Sequence, residues 1–125
     1  MPPLARKEEL VVQETPEELL VYDLRSNKAI CLNETSALVW QNCDGKKDTE
    51  EIAQTLEREL RLPVGEDIVW FALNQLNDVN LLVNEIPSTD RFEGLSRRQV
   101  IKKIGLASAV TLPLVTPLIA PMTVH

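Results

Sequence analysis

Apolar and polar positions follow a short-range rhythm over the first third of the chain and a helical one after it. Leu10, Val11 and Val12 form a short apolar run, and Glu14-Thr15-Pro16-Glu17 interrupts it with turn residues. Leu19 to Leu24, containing Val21 and Tyr22, is a second β-prone stretch. Arg25-Ser26-Asn27-Lys28 then turns the chain into a third over Ala29 to Leu32. Strands this close in sequence predict an antiparallel meander.

From Asn33 the spacing changes. Asn33 or Thr35 is placed to cap a helix reaching about Asn42, with Ala37, Leu38 and Trp40 as its apolar contacts and Asp44-Gly45 as its stop. Asp48 or Thr49 opens a second helix to about Leu60. There Ile52, Ala53, Leu56 and Leu60 share one face of a 3.6-residue period, and Glu50 and Glu51 sit at the positive end of the dipole. Leu62-Pro63-Val64-Gly65 separates a third helix, Glu66 to about Asn80, whose core stripe is Val69, Ala72, Leu73 and Leu76. Trp70 and Phe71 fall off that stripe, about 100° and 200° from Val69 on a helical wheel. Leu81 to Val83 reads as a short strand or extended end. Strands first and helices second predict an α+β fold of the winged helix-turn-helix kind, a three-stranded antiparallel sheet followed by three helices.

Composition fits one domain and a tail. The chain has 125 residues, 44% hydrophobic and 26% charged. A domain of about 90 residues leaves little volume for a deep substrate cavity. Charge is divided unevenly: residues 1–95 hold all 19 acids against nine bases, a net of −10, whereas residues 96–125 hold Arg97, Arg98, Lys102 and Lys103 and no acid. An acidic body repels phosphates, which argues against nucleic acid as a partner. The third helix reinforces this, because a recognition helix of a winged-helix DNA-binding regulator brings Arg and Lys to the groove and this one carries Glu66, Asp67 and Asp78 instead.

The chemistry of enzymes is missing from the pattern. Cys31 and Cys43 form no CxxC pair, His125 ends the chain, and there is no glycine-rich phosphate loop. Glu50, Glu51, Glu57 and Glu59 read as a solvated helix face rather than a metal site. Free thiols and an N-terminus without an apolar signal core point to the cytoplasm. No catalytic residue, metal or cofactor is expected.

Leu32-Asn33-Glu34-Thr35-Ser36-Ala37-Leu38-Val39-Trp40, then Cys43-Asp44-Gly45, Glu51-Ile52-Ala53, and the ending Leu73, Leu76, Leu81, Leu82 resemble the PqqD family of precursor-peptide recognition elements over roughly residues 8–83. One departure is Asn80, where a helix-ending glycine is expected, although Asn also tolerates the left-handed conformation. The resemblance implies a non-catalytic peptide-binding chaperone. It would hold the leader of a ribosomally made precursor peptide and present it to a modifying enzyme, in many such pathways a radical S-adenosylmethionine enzyme, as in pyrroloquinoline quinone (PQQ) biosynthesis. It also implies that the leader adds as a strand to the third β-strand and lies against the third helix. On this chain that edge is Lys28, Ala29, Ile30, Cys31 and Leu32, and the helical wheel offers Trp70, Phe71 and Asn74 as the wall; packing of Trp70 on the hairpin and of Phe71 on the tail is the alternative reading of the two aromatics. Edge backbone groups and a few side-chain pockets supply the affinity in such a mode.

The sequence divides as residues 1–83 for the peptide-binding domain, 84–95 for a polar linker and 96–125 for a basic and apolar tail. Ser96-Arg97-Arg98-Gln99-Val100-Ile101-Lys102 resembles a twin-arginine motif, but Pro113, Pro117 and Pro121 interrupt any membrane span. Several readings of the tail stand side by side. Arg97, Arg98, Lys102 and Lys103 touch an anionic membrane transiently; the tail binds a partner; it folds back to occupy the domain's own groove; it is itself a substrate; or it stays largely unstructured.

Overall fold

The computed structural model describes residues 2–83, 98–99 and 112–118. The elements run β1 (Leu10–Glu14), β2 (Glu18–Asp23), β3 (Lys28–Asn33), α1 (Glu34–Gln41), α2 (Thr49–Leu60), α3 (Glu66–Asp78) and β4 (Val115–Leu118). The α+β class and the order of three strands then three helices agree with the sequence reading. A fourth strand, contributed by the tail, extends the sheet to β1-β2-β3-β4, each neighbour antiparallel.

One face of the sheet is apolar because side chains alternate along each strand. Leu19 and Val21 of β2 lie opposite Leu32 and Ile30 of β3, and all four are buried. The helices cover this face. Ile52, Ala53 and Leu56 of α2 are buried with Leu60 at the half-buried margin, and the α3 stripe of Val69, Ala72, Leu73 and Leu76 is fully buried. Trp40 is in the core at 6% exposure, and its indole N–H donates to the Leu81 carbonyl at 2.9 Å, tying α1 to the chain beyond α3.

Helix ends follow the capping chemistry of their sequences. Asn33 caps α1, its side-chain oxygen accepting from the Ser36 N–H at 3.0 Å. Asp48 caps α2 in a reciprocal box with Glu51. Past α3, Asn80 adopts φ +60°, the left-handed conformation that a glycine takes at no steric cost.

The N-terminal residues hold a structural role that their sequence did not announce. Residues 3–6 run between the end of α1 and the segment after α3: Ala5 N–H donates to Cys43 O, Arg6 N–H to Leu81 O, and Leu4 O accepts from Val83 N–H, each at 2.8 Å. Gly45 donates to Pro3 O and sits at φ +80°, where a Cβ would stand 3.3 Å from Leu4 Cδ1. Arg6 then turns inward to form a two-pronged ion pair with Asp23, 3.0 and 2.6 Å, and donates a further bond to Asn80 O at 2.9 Å. Both side chains are under 10% exposed, and the guanidinium holds the Asp23 carboxyl well below the usual carboxylate range.

Candidate peptide-binding groove

The open side of β3 is where a fourth strand can pair, and residues 112–118 lie there. Leu32 faces Val115, Cys31 faces Thr116, Ile30 faces Pro117 and Ala29 faces Leu118. The pairing continues one step beyond the strand, where the Asn33 N–H donates to Leu114 O at 3.1 Å. Antiparallel ladders alternate, so with residues 33 and 114 bonded to each other, Thr116 and Leu118 also turn their backbone polar groups to β3. Residues 113, 115 and 117 turn theirs the other way.

Gln75 of α3 meets those outward groups. Its Oε1 accepts from the Val115 N–H at 3.0 Å and its Nε2 donates to Pro113 O at 3.0 Å. One side-chain carboxamide thereby does what a residue of a neighbouring strand would do. Pro113 and Pro117 have no N–H to satisfy, so the three outward positions leave no unpaired backbone donor. Proline, which cannot donate to a neighbouring strand, is the residue suited to the outward positions of a final, sheet-closing strand.

The near end of the segment is held by the α1 cap. Asn33 Nδ2 donates to Leu112 O at 2.7 Å, and its Oδ1 accepts from Leu114 N–H at 3.0 Å while capping the helix. Ser36, fully buried, brings its hydroxyl within 2.9 Å of Leu114 O and 2.8 Å of Asn33 Oδ1, and its one proton serves one acceptor at a time. Pro113 is fully buried and Val115 is 8% exposed, two anchors two residues apart on the core side. Leu114, Thr116, Pro117 and Leu118 remain exposed.

Lys28, Ala29, Ile30, Cys31 and Leu32 therefore all lie on the strand that pairs with the tail. Ile30 and Leu32 point into the core; Lys28 is exposed, and Ala29 and Cys31 are half-buried on the opposite face. On α3, Trp70 is half-buried against the core cluster and Asn74 is half-buried, whereas Phe71 is buried at 7% exposure despite lying off the core stripe. Sequence reasoning missed Asn33 and Ser36 as peptide contacts, because capping fully accounts for an Asn-x-x-Ser pattern. It missed Gln75 because a lone helical glutamine carries no signal. Arg98 is exposed; Arg97, Lys102, Lys103 and the 84–95 linker lie outside the described residues.

The cysteines are free and poor nucleophiles. Burial raises the Cys43 thiol to about 12, and burial together with the neighbouring Glu18 carboxylate raises Cys31 to about 11. Among the described residues, no three His, Cys, Asp or Glu side chains gather to hold a metal, and no helix is long and apolar enough to cross a membrane. A second concavity of about 790 Å³ surrounds Arg6, Asp23, Asn77 and Asn80, but its buried charges are spent on each other.

Three antiparallel strands and three helices define a winged-helix-like α+β domain, and its own residues 112–118 add a fourth strand to the last strand of the meander. Residues 18–82 match the family described as Coenzyme PQQ synthesis protein D (PqqD), and the chain belongs to that family, whose members are non-catalytic. The match spans the second and third strands, all three helices and the Leu81-Leu82 ending, including Asn33, Ser36 and Gln75. Comparison with curated proteins and with solved structures gives no match.

Proposed function

We propose that this protein is a cytoplasmic chaperone of peptide modification: it takes the leader of a ribosomally made precursor peptide as a strand on β3, against α3, and presents the rest of that peptide to a modifying enzyme. Membership of the PqqD family supports a role in the synthesis of PQQ or of another peptide-derived product, with a radical S-adenosylmethionine enzyme as the partner. The observation that carries the reading is the seat occupied by residues 112–118. It offers a β3 edge on one side, the Gln75 carboxamide on the other, and burial for two apolar side chains between them.

Such a seat selects backbone shape and a few side chains, which suits a leader. Each backbone hydrogen bond contributes about 0.5–1.5 kcal/mol net and each fully buried aliphatic side chain about 1.5–3 kcal/mol. A handful of these contacts, less the cost of ordering the peptide, reaches micromolar affinity.

The test is an NMR titration of the full chain with synthetic leaders of the precursor peptides encoded beside its gene. A leader that binds by strand addition shifts the amide signals of Ala29, Cys31 and Asn33 and releases that of Thr116. Binding that leaves the β3 amides untouched rules out strand addition, and a panel without any binder, tested also with the tail strand unseated from β3, removes the leader role.

A further inference from the structure

We propose that residues 112–118 are a built-in occupant of the peptide site, a tethered competitor that an incoming peptide must displace before β3 becomes available. This rests on the peptide-site reading above and adds a regulatory device to it. The geometry of the segment carries the argument. Its register on β3, its two buried anchors and its alternating prolines match the seat at every position from Leu112 to Leu118.

Two features make the occupant a competitor rather than a permanent part of the core. It lies outside the family-matched region, residues 18–82, which contains β2, β3 and all three helices without it. Four of its residues, Leu114, Thr116, Pro117 and Leu118, stay exposed, so its grip on the domain is mostly backbone hydrogen bonding, to β3 and to the side chains of Gln75, Asn33 and Ser36, with the side chains of Pro113 and Val115 as anchors. Those are contacts that any extended peptide with a small apolar residue at the Val115 position can reproduce. The site's own ligand thus describes the class it accepts: an extended segment with apolar anchors two residues apart, and proline tolerated at the outward positions.

Tethering sets how strongly the competitor acts. Residues 84–111, 28 in number, join the segment to the domain. A segment tethered to its own site reaches an effective concentration on the order of 1 mM, so a tail whose intrinsic Kd for the empty site is about 20 µM weakens the binding of any free peptide about 50-fold.

The test uses the full chain and a fluorescent synthetic peptide of residues 110–120 supplied in trans. Two variants unseat the tail. Val115→Asp places a charge at a buried anchor, and Thr116→Pro removes an N–H that faces β3 while leaving the core intact. Amide hydrogen exchange at Asn33 verifies the release in each. The expected result is peptide binding at least tenfold tighter to the released variants than to the wild type, lost again when Gln75→Ala is added. Equal, measurable binding to wild type and variants overturns the competitor and leaves the peptide site standing. Released variants that bind no peptide sink the peptide site itself, and the competitor with it. Exchange at Asn33 that stays slow in both variants shows a fixed strand and overturns the proposal.

Discussion

Gln75→Ala isolates the clamp on the outward side of the tail strand. The substitution removes the two hydrogen bonds to Val115 N–H and Pro113 O, both 3.0 Å, and leaves the β3 ladder in place. At about 0.5–1.5 kcal/mol each, their loss costs the strand about 1–3 kcal/mol, less whatever water recovers at the groove's rim. That corresponds to a roughly 5- to 150-fold rise in the fraction of time the strand is detached. Amide hydrogen exchange reads this directly at Thr116, which faces β3 by the register and exchanges when the strand leaves. Gln54→Ala, on the exposed face of α2, serves as the control. The reasoning fails if Thr116 exchanges at the wild-type rate in Gln75→Ala. It fails equally if Val69, Leu73 and Leu76 accelerate to the same degree, since the loss would then be global rather than confined to one strand.

The charged and nucleophilic groups set further outcomes. Asp23→Asn breaks a buried, two-pronged ion pair with Arg6 and is expected to lower stability by about 3–5 kcal/mol in urea denaturation. Because the folded pKa of Asp23 is depressed, its contribution is fully present above the unfolded value of about 3.9 and is lost as pH falls towards the folded one. The wild type should therefore lose stability below about pH 4 more steeply than the variant, and identical slopes would refute the assignment. For the thiols, iodoacetamide at neutral pH should modify the half-buried Cys31 before Cys43, and both slowly, given values of about 11 and 12. Removing the neighbouring carboxylate with Glu18→Gln lowers the Cys31 pKa and speeds its alkylation; an unchanged rate would show that burial alone sets it.

Much of the fold was legible because its signals are local. The α2 face of Ile52, Ala53 and Leu56 and the α3 stripe of Val69, Ala72, Leu73 and Leu76 are read from period alone, and each of these residues is buried. Asp48 and Asn33 act as caps because a short polar side chain can reach a free N–H from that position in any context. Phe71 shows where the helical wheel stops. It lies off the core stripe, yet it is buried, since a wheel knows one helix and burial depends on everything packed around it.

The sequence by itself determined the element order, the helix faces and caps, the acidic body that argues against nucleic acid, and the motifs that resemble the PqqD family. Only the tertiary structure decided which chain segment closes the sheet. Strand pairing is made by backbone groups that every residue carries, so no side-chain pattern in residues 112–118 names β3 as their partner. The prolines at 113 and 117 become suited to that place once the register turns them away from β3. Asn33, Ser36 and Gln75 become a clamp only when a segment some 40 to 80 residues away comes within 3 Å of them.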